Sequence, residues 1–274
     1  MTTVRTYPEG VPSWVDLEPA DLPAALDFYG RLFGWTFQEM GPPGQPPSYV
    51  VAQLDGRDVA GFSPGSGEAA PVWNTYVAVD DAERAAGRVT EAGGRVVLKP
   101  AAAGEGGRLV VCEDPDGVRF RLWEANRRPG VQATNEPGSW NFSDLHAEDP
   151  ERAIAFYLDL FGWVVSDVGF AAMIQLPGYG NHLAATIDPG IHQRQSDMEA
   201  PPGFADAVAW LAGVGPDERP HWHVTFAVAD RDESAAAVER LGGTVLGGTD
   251  TEWARTALVR DPQGAVFTAS QFLG

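Results

Sequence analysis

The sequence predicts an α+β protein built from two tandem copies of one module. Each copy is a pair of βαβββ units forming an open curved sheet around a cavity. Three observations carry this. First, residues 21–35 (DLPAALDFYGRLFGW) return at 149–163 as DPERAIAFYLDLFGW. Asp21, Ala25, Phe28, Tyr29, Leu32, Phe33, Gly34 and Trp35 thereby recur as Asp149, Ala153, Phe156, Tyr157, Leu160, Phe161, Gly162 and Trp163. Second, three later segments recur in the same order: WNTYVAVDD (73–81) as WHVTFAVAD (222–230), VTEAGGRVV (89–97) as VERLGGTVL (238–246), and DPDGVRF (114–120) as DPQGAVF (261–267). Third, the offsets of 128, 149, 149 and 147 residues keep the copies collinear and place an insertion of about 20 residues between 164 and 221.

The elements follow in order. Strands over 13–18 and 141–148 lead to Asp21 and Asp149, which suit helix N-caps. Apolar residues then fall at helical spacing until Gly34 and Gly162, which suit left-handed C-caps. Trp35 and Trp163 open the next strand, with extended segments at 49–54, 58–62, 172–176 and 182–187. Alternation predicts strands at 72–79 and 221–229. Alanine-rich helices follow, begun at Asp81 and Asp230 and ended at Gly93-Gly94 and Gly242-Gly243. Hairpins then turn at Asp114-Pro115-Asp116-Gly117 and Asp261-Pro262-Gln263-Gly264. Residues 204–211 (FADAVAWL) read as a short amphipathic helix, either a packing element or a lid or subunit contact. The expected partition is a first module at 1–128, a linker at 129–137, and a second module at 138–274 with an insertion around 188–218.

Composition excludes several classes. Lys and Arg number 19 against 38 Asp and Glu, a formal charge of -19, which argues against phosphate-backbone binding and anionic membranes. Cys112 is the only cysteine, so no intrachain disulfide exists; its apolar neighbours mark a buried strand residue. No apolar run approaches the ~20 residues of a membrane span, and no basic-then-apolar leader opens the chain, so a cytoplasmic location is expected. Phosphate-loop, dinucleotide, nucleophile-elbow and paired-cysteine motifs are absent from the sequence.

With both FY…LFGW elements and both DPxG hairpins in view, the chain resembles the vicinal-oxygen-chelate superfamily of glyoxalases, bleomycin-resistance proteins and extradiol dioxygenases. Within it the likeness is to two-module glyoxalase-like actinobacterial proteins, over roughly 10–125 and 138–272. The resemblance implies βαβββ modules around a cavity in which the enzymes hold a divalent metal through His and Glu, whereas drug-binding members bind ligand without metal. It places the metal-ligand positions at Trp14 and Phe142, at Asn74 and His223, and at Arg121 and Thr268. Only His223 is a good ligand, and Arg121 would repel a cation. The resemblance therefore implies a lost metal site, with no cofactor expected and a divalent metal as the alternative.

Alternation places Trp14, Asp16 and Glu18 on one strand face, and Phe142, Asp144 and His146 on its counterpart. A carboxylate within an apolar strand is costly unless paired, so Asp16 and Asp144 are either anchored structurally or touch ligand. His223 and His146 divide between core hydrogen bonding and a site role, while His182 and His192 read as loop residues. Arg119 and Arg121 share a strand face and either hold a carboxylate ligand in bidentate fashion or neutralise Asp16 or Asp144. A metal set drawn from Asp144, His146 and His223 is a further alternative.

These readings converge on a metal-independent small-molecule-binding protein. Trp14, Trp73 and Phe142 form its aromatic walls, and Asp16, Asn74, Asp144, His223 and Arg121 its polar contacts. The alternative is a lyase, isomerase or dioxygenase-like enzyme on a small oxygenated substrate, with Asp144 or His223 as general base; a third reading is a noncatalytic scaffold. The expected partner is a small molecule, with no nucleic acid or membrane, in a monomer or homodimer.

Overall fold

The computed structural model describes residues 5–41, 47–68, 70–168, 172–198, 200–215 and 218–274. In the first copy β1 (Pro12–Leu17) leads to α1 (Leu22–Phe33), then β2 (Thr36–Met40), β3 (Tyr49–Leu54) and β4 (Arg57–Phe62). Its second unit is β5 (Asn74–Ala78), α2 (Ala82–Glu91), β6 (Arg95–Ala103), β7 (Gly107–Glu113) and β8 (Arg119–Ala125). The second copy repeats this as β9 (Trp140–Ala147), α3 (Pro150–Phe161), β10 (Val164–Asp167), β11 (Ala172–Gln175), and, after two short helices, β12 (Ala207–Gly213). Those helices are α4 (Tyr179–Thr186) and α5 (Ile191–Asp197). It ends with β13 (His221–Ala227), α6 (Arg231–Arg240), β14 (Thr244–Asp250), β15 (Ala254–Arg260) and β16 (Val266–Phe272). Among the described residues no helix is long and apolar enough to cross a membrane.

Local chemistry sets the helix ends. Asp21, Asp81, Asp149 and Asp230 each accept a backbone N–H of the first turn with the side chain. Gly34 and Gly162 stop α1 and α3 at φ 74° and 73°, a conformation that costs a residue with a Cβ. Within every βαβββ unit the first strand pairs in parallel with a later strand: β1 with β4, β5 with β8, β9 with β12, and β13 with β16.

The second copy departs from expectation in two places. Residues 182–187 are not extended but complete α4, because the Asp206 carboxylate accepts the N–H groups of Gly178 and Gly180 and holds the helix start. Residues 204–211 are not a helix. A 3-10 turn at Phe204–Asp206 gives way to β12, whose backbone is claimed by β9 and β11 on either side. The extra residues thus form α4, α5 and the turn between β11 and β12, where the first copy needs only Asp55-Gly56 between β3 and β4. The expected bounds of 188–218 include residues 199, 216 and 217, which lie outside the described set.

Packing partitions the chain differently from the repeat. One compact unit comprises the chain through Ser13, Thr75–Gly130 and Ser143–Trp222; the other comprises Trp14–Asn74, Val131–Phe142 and His223–Gly274. Each unit combines one βαβββ segment from each copy.

In the second-named unit Tyr29 is fully buried, donates to Asp261 Oδ2 at 3.0 Å and accepts from Trp73 Nε1 at 3.2 Å. Trp35 Nε1 donates to the Gly138 carbonyl at 2.6 Å, and Phe33, Phe62, Phe226 and Phe267 pack around Tyr29 and Trp35. The first-named unit repeats the arrangement. Tyr157 donates to Asp114 Oδ2 at 3.3 Å and accepts from Trp222 Nε1 at 3.2 Å, while Trp163 Nε1 donates to Gly10 O at 2.7 Å. Cys112 is buried in that unit's core, and burial pushes its thiol up to about 12.

Two predictions follow from these hydrogen-bonded tyrosines. Tyr29→Phe removes a partner from both Asp261 and Trp73, and chemical denaturation should show a loss of about 2–4 kcal/mol; a loss below ~0.5 kcal/mol would remove its structural role. Asp114 is the pH-sensitive member: burial pushes its carboxyl up to about 6, against the opposing hydrogen bonds from the Val118 N–H and Tyr157. A folded pKa above the unfolded value of about 3.9 means that its ionisation destabilises the fold as pH rises from about 4 through 6. Asp114→Asn should therefore gain about 2 kcal/mol on the wild type between pH 4 and pH 7. A difference in denaturation midpoints that is flat with pH contradicts this.

Candidate functional site

Strand β9 sends Leu145 and Ala147 into the core, where both are buried, and presents Asp144 and His146 on the opposite face. His146 stands near the end of that strand, His221 opens β13, and the loop after β12 supplies Glu218. The ligating atoms of His146, Glu218 and His221 lie within 4.8 Å of one another. His146 Nδ1 donates to Glu218 Oε1 at 2.6 Å, and His221 Nδ1 is 3.7 Å from the same oxygen. The imidazole centroids are 4.8 Å apart.

Backbone groups orient this cluster. The Gly215 N–H donates to Glu218 Oε2 at 2.8 Å, and His221 Nδ1 donates to the Arg219 carbonyl at 2.9 Å. The neutral His221 ring therefore carries its lone pair on Nε2. Burial works against ionisation of Glu218, but the Gly215 N–H, His146 and His221 hold it below the usual carboxylate range. Burial lowers His221, with the nearby His146 adding to that effect against the Arg219 carbonyl. Two imidazoles and a carboxylate are a donor set suited to zinc, iron, manganese or nickel, and three protein ligands leave positions open for water or substrate.

Several of the positions implied by resemblance are engaged in contacts of their own. His223 is buried with Nε2 2.8 Å from Thr268 Oγ1. Trp14 donates through Nε1 to Tyr49 Oη at 2.7 Å, and Asn74 Nδ2 donates to Asp16 Oδ1 at 2.9 Å. Tyr49 in turn donates to Asp16 Oδ2 at 3.2 Å, so the first copy's carboxylate is anchored structurally. Arg121 is buried, donates to Tyr76 Oη at 2.7 Å and lies over that ring. Arg119 pairs with Glu113, its neighbour across β7 and β8, so it does not join Arg121 in an anion clamp.

The remaining residues divide. Trp73 is not a pocket wall, since it is sealed in the aromatic core against Tyr29, Phe62 and Phe226. Phe142 is half-buried. Asp144 is half-buried as a residue, yet its Oδ1 is sealed and has no hydrogen-bond partner among the described residues; burial pushes its carboxyl up to about 7. His182 and His192 lie on α4 and α5 rather than in loops and bond Thr6 and Asn181. Glu218 and His221 were not singled out from sequence as ligands. Their only signal is Glu-x-x-His, whose histidine is the first of HWH and opens β13, with His146 far upstream. The first copy has Glu18 and Val72 at the positions matching His146 and His221, so the cluster belongs to the second copy alone.

Residues 13–122 match the glyoxalase/bleomycin resistance protein/dioxygenase superfamily, and residues 142–270 match a glyoxalase-like domain. The chain belongs to this superfamily. CFP32 of Mycobacterium tuberculosis, which bears a provisional glyoxylase name, is 35% identical over 269 residues, covering 96% of this chain and 95% of that protein. The anthracycline biosynthesis protein DnrV of Streptomyces peucetius is 31% identical over 278 residues, covering 96% and 93%. Among solved structures, the Mn(II)-bound glyoxalase of Novosphingobium aromaticivorans superposes with a TM-score of 0.62 at 17% identity, covering 97% of this chain and 83% of that one. The 2,3-dioxygenase LapB of Pseudomonas sp. KL28 gives 0.60 at 14%, covering 99% and 93%. The fold is thus one shared by glyoxalases and extradiol dioxygenases.

The expectation of a chain without a cofactor is corrected by these findings. It rested on the ligand positions implied by the resemblance, of which only His223 is a good ligand. It overlooked the His146–Glu218–His221 set, four residues further along the same β9 face from Phe142. Of the alternative set Asp144, His146 and His223, only His146 belongs to the cluster.

Proposed function

We propose that this member of the superfamily is a divalent-metal enzyme acting on a small oxygenated substrate, in a lyase, isomerase or dioxygenase-like reaction. The observation that carries the reading is the convergence of His146, Glu218 and His221. His146 and His221 would hold the ion as neutral imidazoles, and Glu218 would supply the balancing carboxylate. Bound there, a divalent ion supplies Lewis-acid polarisation of a substrate oxygen or an activated water.

The chain's own groups do the rest. The Gly215 N–H keeps Glu218 pointed toward the histidines, and the Arg219 carbonyl fixes the His221 tautomer. Asp144 lies two residues from His146 on the same strand face, where its buried Oδ1 is an acceptor for a substrate hydrogen. The relatives named for anthracycline biosynthesis support including oxygenated aromatics among the substrates to be assayed.

Elemental analysis of untagged protein purified without chelator, followed by titration with Mn²⁺, Fe²⁺, Ni²⁺ and Zn²⁺, tests the centre. One ion per chain is expected, with affinity falling about 10- to 100-fold or more in His146→Ala and His221→Ala and unchanged in His223→Ala. Absence of stoichiometric metal, or a loss confined to His223→Ala, overturns the assignment.

A further inference from the structure

The internal duplication indicates what Asp144 is built to accept. Asp16 and Asp144 occupy matching positions on β1 and β9, 128 residues apart, and each sits beside the parallel strand of its own unit: Asp16 pairs with Gly61, and Asp144 with Trp210. In the first copy a phenol satisfies the carboxylate. The Tyr49 hydroxyl donates to Asp16 Oδ2 at 3.2 Å and accepts from Trp14 Nε1 at 2.7 Å. It reaches the carboxylate because Gly61 has no side chain; a Cβ there would lie 2.0 Å from the Tyr49 oxygen.

The second copy has lost each part of this arrangement. Val51 pairs with Gly61 as Met173 pairs with Trp210, so the counterpart of Tyr49 falls at Ala171, which lies outside the described residues and has no hydroxyl to donate. Phe142 replaces Trp14 and offers no N–H. Trp210 replaces Gly61 and brings a half-buried indole to the face, 6.2 Å from Phe204. Asp144 keeps its carboxylate, with Oδ1 sealed and without a partner among the described residues. A buried acceptor of this kind is costly unless a donor reaches it.

We propose that Asp144 and Trp210 recognise a planar aromatic alcohol, whose hydroxyl donates to Asp144 as the Tyr49 hydroxyl donates to Asp16, while its ring lies against Trp210. The inference deepens the proposed function, because Asp144 shares the β9 face with His146, and it names the substrate class of that site.

The test compares 6-hydroxyquinoline with 6-methoxyquinoline, which present the same ring system with and without the donor. Binding is followed by ligand-observed NMR titration on the full chain, both after chelator treatment and with Mn²⁺ added. The wild type should bind the hydroxyl compound about tenfold or more tightly, the consequence of leaving a buried acceptor unpaired. Asp144→Ala should equalise the two ligands. Asp144→Asn, which retains an acceptor oxygen and the side-chain volume, should keep an intermediate preference. Trp210→Ala should weaken both compounds and leave their ratio unchanged.

Equal affinities in the wild type overturn the proposal and mean that a resident water satisfies Asp144. So does a preference that survives in Asp144→Ala, or no binding of the hydroxyl compound up to millimolar concentration. A hydroxyl preference in protein that binds no metal leaves this inference standing and overturns the metal centre. Stoichiometric metal without a hydroxyl preference does the reverse.

Discussion

A buried tyrosine hydroxyl that receives an indole N–H and donates to an aspartate organises both halves of this protein. Tyr29 joins Trp73 to Asp261, and Tyr157 joins Trp222 to Asp114. In each case the tyrosine comes from the first helix of one copy and the aspartate from the hairpin of the other. A buried aspartate is tolerable only where its oxygens are filled, and the hairpin geometry fills one of them. Asp114 Oδ1 accepts the N–H groups of Asp116 and Val118, and Asp261 Oδ1 accepts those of Gln263 and Ala265. The second oxygen then has one acceptable neighbour, the phenol. This requirement pairs the copies crosswise inside each compact unit.

The four helices that the two copies share, α1, α2, α3 and α6, and the DPxG hairpins were legible because their determinants are local. An Asp before the helix, a Gly at its left-handed end and a DPxG turn act within a few residues, and the duplication displays them twice. The Asp-Pro-x-Gly residues were legible only as turns. Their partners Tyr29 and Tyr157 stand 232 and 43 residues away in the chain, and spacing alone cannot pair them. Residues 204–211 misled for a related reason. Their apolar spacing matches a helix, yet neighbouring strands on both sides claim the backbone of β12, and tertiary pairing overrides a short periodic signal. The candidate site was legible by halves: His146 and Asp144 shared a predicted strand face, while Glu218 lay in an inserted stretch that no repeat could align.

Duplication also explains how the two copies came to differ in their chemistry without differing in fold. Both need the aromatic residues around Tyr29 or Tyr157, the caps and the hairpins, and both keep them. They diverge on the opposite face of the first strand, where Trp14 and Glu18 stand against Phe142 and His146. In the first copy that face is closed by its own side chains, with Trp14, Tyr49, Asp16 and Asn74 joined in one hydrogen-bonded set. The second copy carries Phe142, Asp144 and His146 there, and the sealed acceptor on Asp144 marks it as the half still built to receive a group from outside.

Strand geometry makes a displaced ligand set physically accessible. Side chains alternate with a period of two, so a ligand can move from position 142 to 146 and stay on the same face, shifted by roughly 13 Å at ~3.3 Å per residue. The shift carries it from a position flanked by strand backbone to one near the end of β9. There a loop can deliver a third donor, as Glu218 illustrates, and the first residue of β13 supplies the second imidazole. The side chains of His146, Glu218 and His221 are 20%, 32% and 28% exposed, against a buried His223. A candidate centre at that strand end would be open to ion exchange, whereas the positions implied by the resemblance include the buried Arg121 and Trp14. Loss of ligands at one level of a strand therefore says little about the level above it, provided the face is the same.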